Sequence, residues 1–153
     1  MVPACGDRWE VNPSQFDIVK GFWNYDFPTT YKGRFGIEMR LWGQLSYPII
    51  VERPGRYEFA LTADNDRPTT NRVALWLNKS RIQRFDFNRC DNSLETKRAV
   101  IRLKRGFQVL SLQNEWYRGV DEVRRGPVRD LYKTTFLAGI RLRRIPEPDE
   151  SFP

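Results

Sequence analysis

"GRYEFALTADND", residues 55–66, is the stretch on which the fold turns. Tyr57, Phe59 and Leu61 fall to one side of an extended chain, while Glu58, Ala60 and Thr62 fall to the other. Successive side chains of a strand point to opposite faces, so this period of two predicts a strand with one face on a core. The "ERPG" before it, residues 52–55, supplies the turn, because Pro fixes φ and Gly accepts positive φ.

The same signal recurs in both directions. In "NRVALWLNKSRIQRFDF", 71–87, Val73, Leu75 and Leu77 share a face, "NKS" makes a turn, and Ile82, Phe85 and Phe87 follow with less regular spacing, which reads as a hairpin. "RAVIRLKRGFQVLSLQN", 98–114, places Ala99, Ile101 and Leu103 before a short "KRG" turn and a strand from Phe107 to about Gln113, predicting a second hairpin. In "TTFLAGIRLRRI", 134–145, Phe136, Ala138, Ile140 and Leu142 alternate with Leu137, Gly139, Arg141 and Arg143. "KGFWNYDF", 20–27, and "RFGIEMRLWGQLSYPIIVE", 34–52, add two or three strands around the turn-rich "PTTYKG". Trp23, Tyr25 and Phe27 share a side that reads as core, and Trp42 and Trp76 stand on the face opposite it, Trp76 as a packed ring. No period of 3.6 is sustained over three turns. The expectation is an all-β protein, an antiparallel β-sandwich or jelly roll of about eight or nine strands, because sheets of that number pack face to face or close on themselves.

At 153 residues the chain fits one domain, 1–145 with an N-terminal arm at 1–19, and the acidic, Pro-rich "PEPDESFP", 146–153, reads as a tail or linker. A 14% aromatic share with ten Pro and ten Gly agrees with many short strands and turns. Histidine is absent, which excludes Ser-His and Cys-His nucleophiles and removes the commonest transition-metal ligand. Cys5 and Cys90 lack metal-site spacing, leaving one disulfide or two buried thiols. No run of about 18 apolar residues exists to span a membrane, and "MVPACGDRWE" is not a signal peptide, so the signal of an exported protein is expected outside this chain. The net charge of +7 fits an anionic partner or a solvated basic surface. Its basic residues are scattered, densest at 124–125 and 143–144, whereas a nucleic-acid arm usually shows a longer block.

"SLQNEWYRGVDEVRRGPVRDLY", 111–132, is too polar and too mixed in charge to be core. Calcium takes six to eight hard oxygen ligands, and Asn114, Glu115, Asp121, Glu122 and Asp130 have those donor types, although the carboxylates can equally pair with neighbouring arginines. A sugar presents an apolar C–H face and a rim of hydroxyls, so it needs a flat aromatic flanked by polar groups. Trp116 and Tyr117, followed by Arg118, meet that need, although a Trp right after a strand can equally plug the core, as Tyr132 does in this reading. A glycosidase needs two carboxylates roughly 5 to 10 Å apart. Glu38 and Glu58 lie on strands, but nothing in the sequence pairs them, so no enzyme is expected.

With these segments in order, residues 37–145 resemble the β-sandwich carbohydrate-binding modules, especially the calcium-dependent xylan-binding type. "PGRYEFALTA", "NRVALWLNKSRIQRFDF", "RLKRGFQVLSLQNEW" and "VRDLYKTTFLAGIRLRRI" carry the resemblance, the most specific part being "LQN(E)…RDLY…GIRL". It implies a noncatalytic module of a larger secreted or multidomain protein, extracellular or periplasmic, with polysaccharide as partner, acidic or substituted given the basic balance. It also implies a ligand edge before the last strand, with Asn114, Trp116, Tyr117, Arg118 and Asp121 meeting sugar and Asn114, Glu115, Asp121 and Asp130 holding Ca2+. The familiar pattern has Arg-Asn where this chain has Arg129-Asp130. The competing readings are an interaction domain that contacts protein partners or neighbouring domains through its Arg-rich loop, and nucleic-acid binding by stacking on aromatic and Arg side chains.

Overall fold

The computed structural model describes residues 4–15, 18–20, 27–31, 33–40, 44–64, 71–87, 94–114 and 134–147. Twelve strand segments follow one another: β1 (Ala4–Cys5), β2 (Arg8–Val11), β3 (Ile18–Lys20), β4 (Phe27–Tyr31), β5 (Arg34–Arg40), β6 (Gln44–Val51), β7 (Gly55–Asp64), β8 (Asn71–Leu77), β9 (Ser80–Phe87), β10 (Glu95–Leu103), β11 (Gly106–Asn114) and β12 (Thr134–Arg144). Nine of them have five residues or more, matching the expected sandwich, and the three short ones belong to the N-terminal arm. Sheet A runs β1-β6-β11-β8-β9 with β3 also on β6; sheet B runs β10-β7-β12-β5-β4 with β2 also on β12. Every described pairing is antiparallel except β1 on β6.

The core lies between the sheets. Tyr57, Phe59 and Leu61 of β7 are buried there as the alternation predicts, with Leu45, Tyr47, Ile49, Val73, Leu75, Leu110 and Leu112 facing them from sheet A. Each fully buried large apolar side chain contributes about 1.5–3 kcal/mol relative to exposure. Phe59 and Phe85 stack at 5.7 Å between ring centroids, joining the sheets.

Local readings change in several places, the first at residues 28–31, read as part of a turn-rich stretch and found in β4 on β5. Residues 98–114 do not form a hairpin: β10 pairs with β7 in sheet B, while β11 pairs with β6 and β8 in sheet A. Alternation and a short turn look the same in a hairpin and in an arch between sheets; here Gly106, at φ 109°, and the bond from Gln108 Nε2 to the Lys104 carbonyl (3.1 Å) carry the chain across. In β12 the register slips between Leu137 and Gly139. This bulge breaks the single alternation, so Leu137 joins Ile140 and Leu142 in the core while Phe136 turns to the other face over Gly36. A second slip between Leu75 and Trp76 leaves Ile82 out of register, which explains the irregular spacing of Ile82, Phe85 and Phe87.

The β8–β9 hairpin is present, with Asn78 at φ 56° in its two-residue turn. Such turns need positive φ, which Asn tolerates. Trp76 is half-buried on the outer face of sheet A, with its indole nitrogen enclosed, a packed ring as expected. Trp23, Tyr25, Trp42 and Tyr132 lie outside the described residues. So does Cys90, and with it the question of the Cys5–Cys90 pair. Among the described residues no helix is long and apolar enough to cross a membrane.

Candidate ligand-binding end

The registers sort the connections between strands into two ends. Residues 52–54, 78–79 and 104–105 close one end, where Val51 pairs with Gly106 and Gly55 with Leu103. At the other end lie the C-termini of β7 and β11 and the start of β12, so the connections 65–70 and 115–133 leave from there. The polar loop singled out in the sequence therefore springs from Asn114, the last residue of β11.

Asn114 follows the parity of Leu110 and Leu112, so its side chain points between the sheets, opposite Val73. It is fully buried, and among the described residues neither Oδ1 nor Nδ2 has a hydrogen-bond partner. Thr135 follows the parity of core-facing Leu137, on the facing sheet and at the same end; it too is fully buried with Oγ1 unbonded. A buried polar group without a partner costs about 1–3 kcal/mol. The two form a polar layer at this end where the alternation would otherwise place apolar side chains. Asp64, at the end of β7, adds a buried carboxylate to this end.

Of the residues assigned to the site from sequence, the structure places Asn114; Glu115, Trp116, Tyr117, Arg118, Asp121, Glu122 and Asp130 lie outside the described residues. Sequence reasoning passed over Thr135 and Asp64, whose signal was a polar residue at a core-parity position and a carboxylate ending an apolar strand. Among the described residues no three acidic, His or Cys side chains converge on a metal site. Asn114 Oδ1 and Thr135 Oγ1 are hard oxygens of the kind calcium accepts, so the donor types present fit that ion, and its negative ligands would have to come from Glu115, Asp121 and Asp130.

Glu38 and Glu58 do not form a glycosidase pair. Glu38 is in register with Phe136 and Glu58 with Arg143, seven residues apart along β12, roughly 20 Å at 3.3 Å per residue. Glu58 instead faces Arg98, with 3.6 Å between charged atoms.

No family model matches the chain, and no curated protein matches it. Solved structures do. The CBM36-1 domain of a multidomain xylanase from the hindgut metagenome of Trinervitermes trinervoides superposes with a TM-score of 0.70 at 13% identity, over 92% of this chain and 99% of that one. A carbohydrate-binding module CBM36 in complex with calcium and xylotriose gives 0.67 at 12% identity, over 88% and 98%. A family 35 carbohydrate-binding module from Clostridium thermocellum gives 0.67 at 10% identity, over 90% and 98%. The chain has the fold of the carbohydrate-binding-module β-sandwiches.

Proposed function

We propose that this chain is a noncatalytic carbohydrate-binding module that holds polysaccharide at its loop end. The observation that carries the reading is the fully buried amide of Asn114, unbonded among the described residues, at the root of the 115–133 connection in a fold that nearly covers the neighbouring modules. A strand end that keeps a polar side chain in the core, at a cost in stability, is built for something that binds there. In this reading Trp116 and Tyr117 offer apolar faces to sugar rings, and Arg118 and Asp121 bond their hydroxyls. Asn114, Glu115, Asp121 and Asp130 would hold calcium, which supplies a fixed positive charge for sugar oxygens. One neighbour binds calcium and xylotriose, and others belong to a xylanase and a mannanase, which supports a module that targets a larger extracellular or periplasmic protein to polysaccharide.

Affinity electrophoresis in gels containing neutral and acidic polysaccharides, with calcium and with chelator, tests the reading. Retardation by at least one polymer, reduced by chelator and abolished by Asn114→Leu, is expected. If no polymer retards the chain, the reading fails and the interaction-domain alternative takes its place.

A further inference from the structure

The Arg143-Arg144 doublet, one of the two densest basic spots in the sequence, sits at the end remote from the ligand loops, and the reading above makes no use of it. β12 and β2 set Arg143 directly opposite Arg8, with both side chains exposed. Side chains so placed have Cβ atoms about 4.5–5.5 Å apart, and like charges there repel. Among the described residues neither arginine has a carboxylate within ion-pair distance, and Glu58, the other cross-strand neighbour of Arg143, faces Arg98.

Arg8 and Arg143, with Arg53 and Arg144, line a groove of about 580 Å3. Asp7 is the one carboxylate among its described lining residues, and Arg53 Nη1 already donates to both its oxygens, at 2.9 and 3.2 Å. Ile145 and Pro146 complete the wall. The walls are held in place by backbone: the Arg144 N–H donates to the Asp7 carbonyl (2.8 Å), and the Ile145 N–H to that of Arg56 (2.8 Å).

We infer that this groove binds an anionic substituent of an acidic polysaccharide, the carboxylate of a uronic acid or a sulfate ester, at a site separate from the loop end. The inference rests on the polysaccharide-binding reading. Guanidinium groups present paired donors that match the oxygens of carboxylate and sulfate, and an anion between two opposed arginines replaces their repulsion with two charge-assisted contacts. Small-ligand sites run from about 300 to 1,000 Å3. A groove of this volume holds a sugar unit or two, and among the described residues its lining has no aromatic ring on which a base could stack. Strands and backbone bonds fix the backbone from which its arginines project, so binding has only their side chains to order.

The test compares the full chain with an Arg8→Ser/Arg143→Ser double variant, both positions being exposed, in gels containing polygalacturonate, dextran sulfate, neutral xylan or dextran. Thermal melts check that the variant is folded. The parent is expected to be retarded by at least one acidic polymer, less so as salt is raised, and the double variant to lose at least ten-fold in that affinity while keeping its affinity for any neutral polymer. Equal retardation of parent and variant by the acidic polymers overturns the inference, as does a parent that binds only neutral polymer, and both outcomes leave the loop-end reading standing. Loss of acidic-polymer binding in Asn114→Leu alone moves that binding to the loop end and also overturns it. Displacement of the acidic polymer by single-stranded or duplex DNA at equal charge concentration assigns the groove to nucleic acid instead. A chain retarded in no gel overturns both readings together.

Discussion

At one end of the sandwich the chain turns within residues 52–54, 78–79 and 104–105; at the other it leaves the strands through 65–70, 88–94 and 115–133. The short end is closed by side chains that bond neighbouring backbone. Asn78 donates its N–H to the Val109 carbonyl (2.7 Å), accepts from the Val109 N–H (2.9 Å) and donates from Nδ2 to Gln108 Oε1 (2.8 Å), tying the β8–β9 turn to β11. The Tyr57 hydroxyl donates to the Arg53 carbonyl at 2.6 Å, with the Gly6 carbonyl at 3.2 Å. At the long end the buried polar atoms of Asn114 and Thr135 have no such bonds among the described residues. Side-chain bonds to backbone therefore tie the short end together, whereas the long end keeps polar side chains inside the core.

That contrast can be broken by mutation, beginning with the largest effect. Tyr57→Ala removes a fully buried ring and its bonds at the short end and is expected to cost about 3–5 kcal/mol in denaturant unfolding, the range for deletion of a buried aromatic. Asn78→Ala replaces a residue that tolerates positive φ with one that does not and removes two side-chain bonds, for an expected loss of about 2 kcal/mol. At the long end the sign reverses. Thr135→Val keeps the shape and deletes an unbonded hydroxyl, so melts in chelator should show a gain of about 1 kcal/mol, and a loss of that size would mean that the hydroxyl is bonded after all.

The strands were legible because alternation is local: Tyr57, Phe59 and Leu61, or Val73 and Leu75, reveal their inner face without knowledge of the partner strand. What the sequence concealed was non-local. Whether Leu103 and Phe107 flank a hairpin or an arch depends on β7 and β6, far away in the chain, and the bulge beside Leu137 is imposed by the register of β12 against β7. Gly36 gives a partial clue to that bulge. A side chain there would collide with the Leu137 carbonyl and reach within 3.0 Å of the Phe136 ring, yet a glycine in a strand does not announce which neighbour requires it. Of the candidate site, Asn114 was legible as a polar strand end. Its burial was not, because its parity becomes informative only once Leu110 and Leu112 are known to face the core.

β1 joins sheet A beside Ile50 and Val51, and β12 delivers the chain to Arg144 beside Asp7, so residues 4–8 and 144–147 meet at the same pole. A tether fused to either side would pull on that pole. Tension would load the Asp7–Arg144 bond and the short strands around it, and its line of force would bypass the opposite pole.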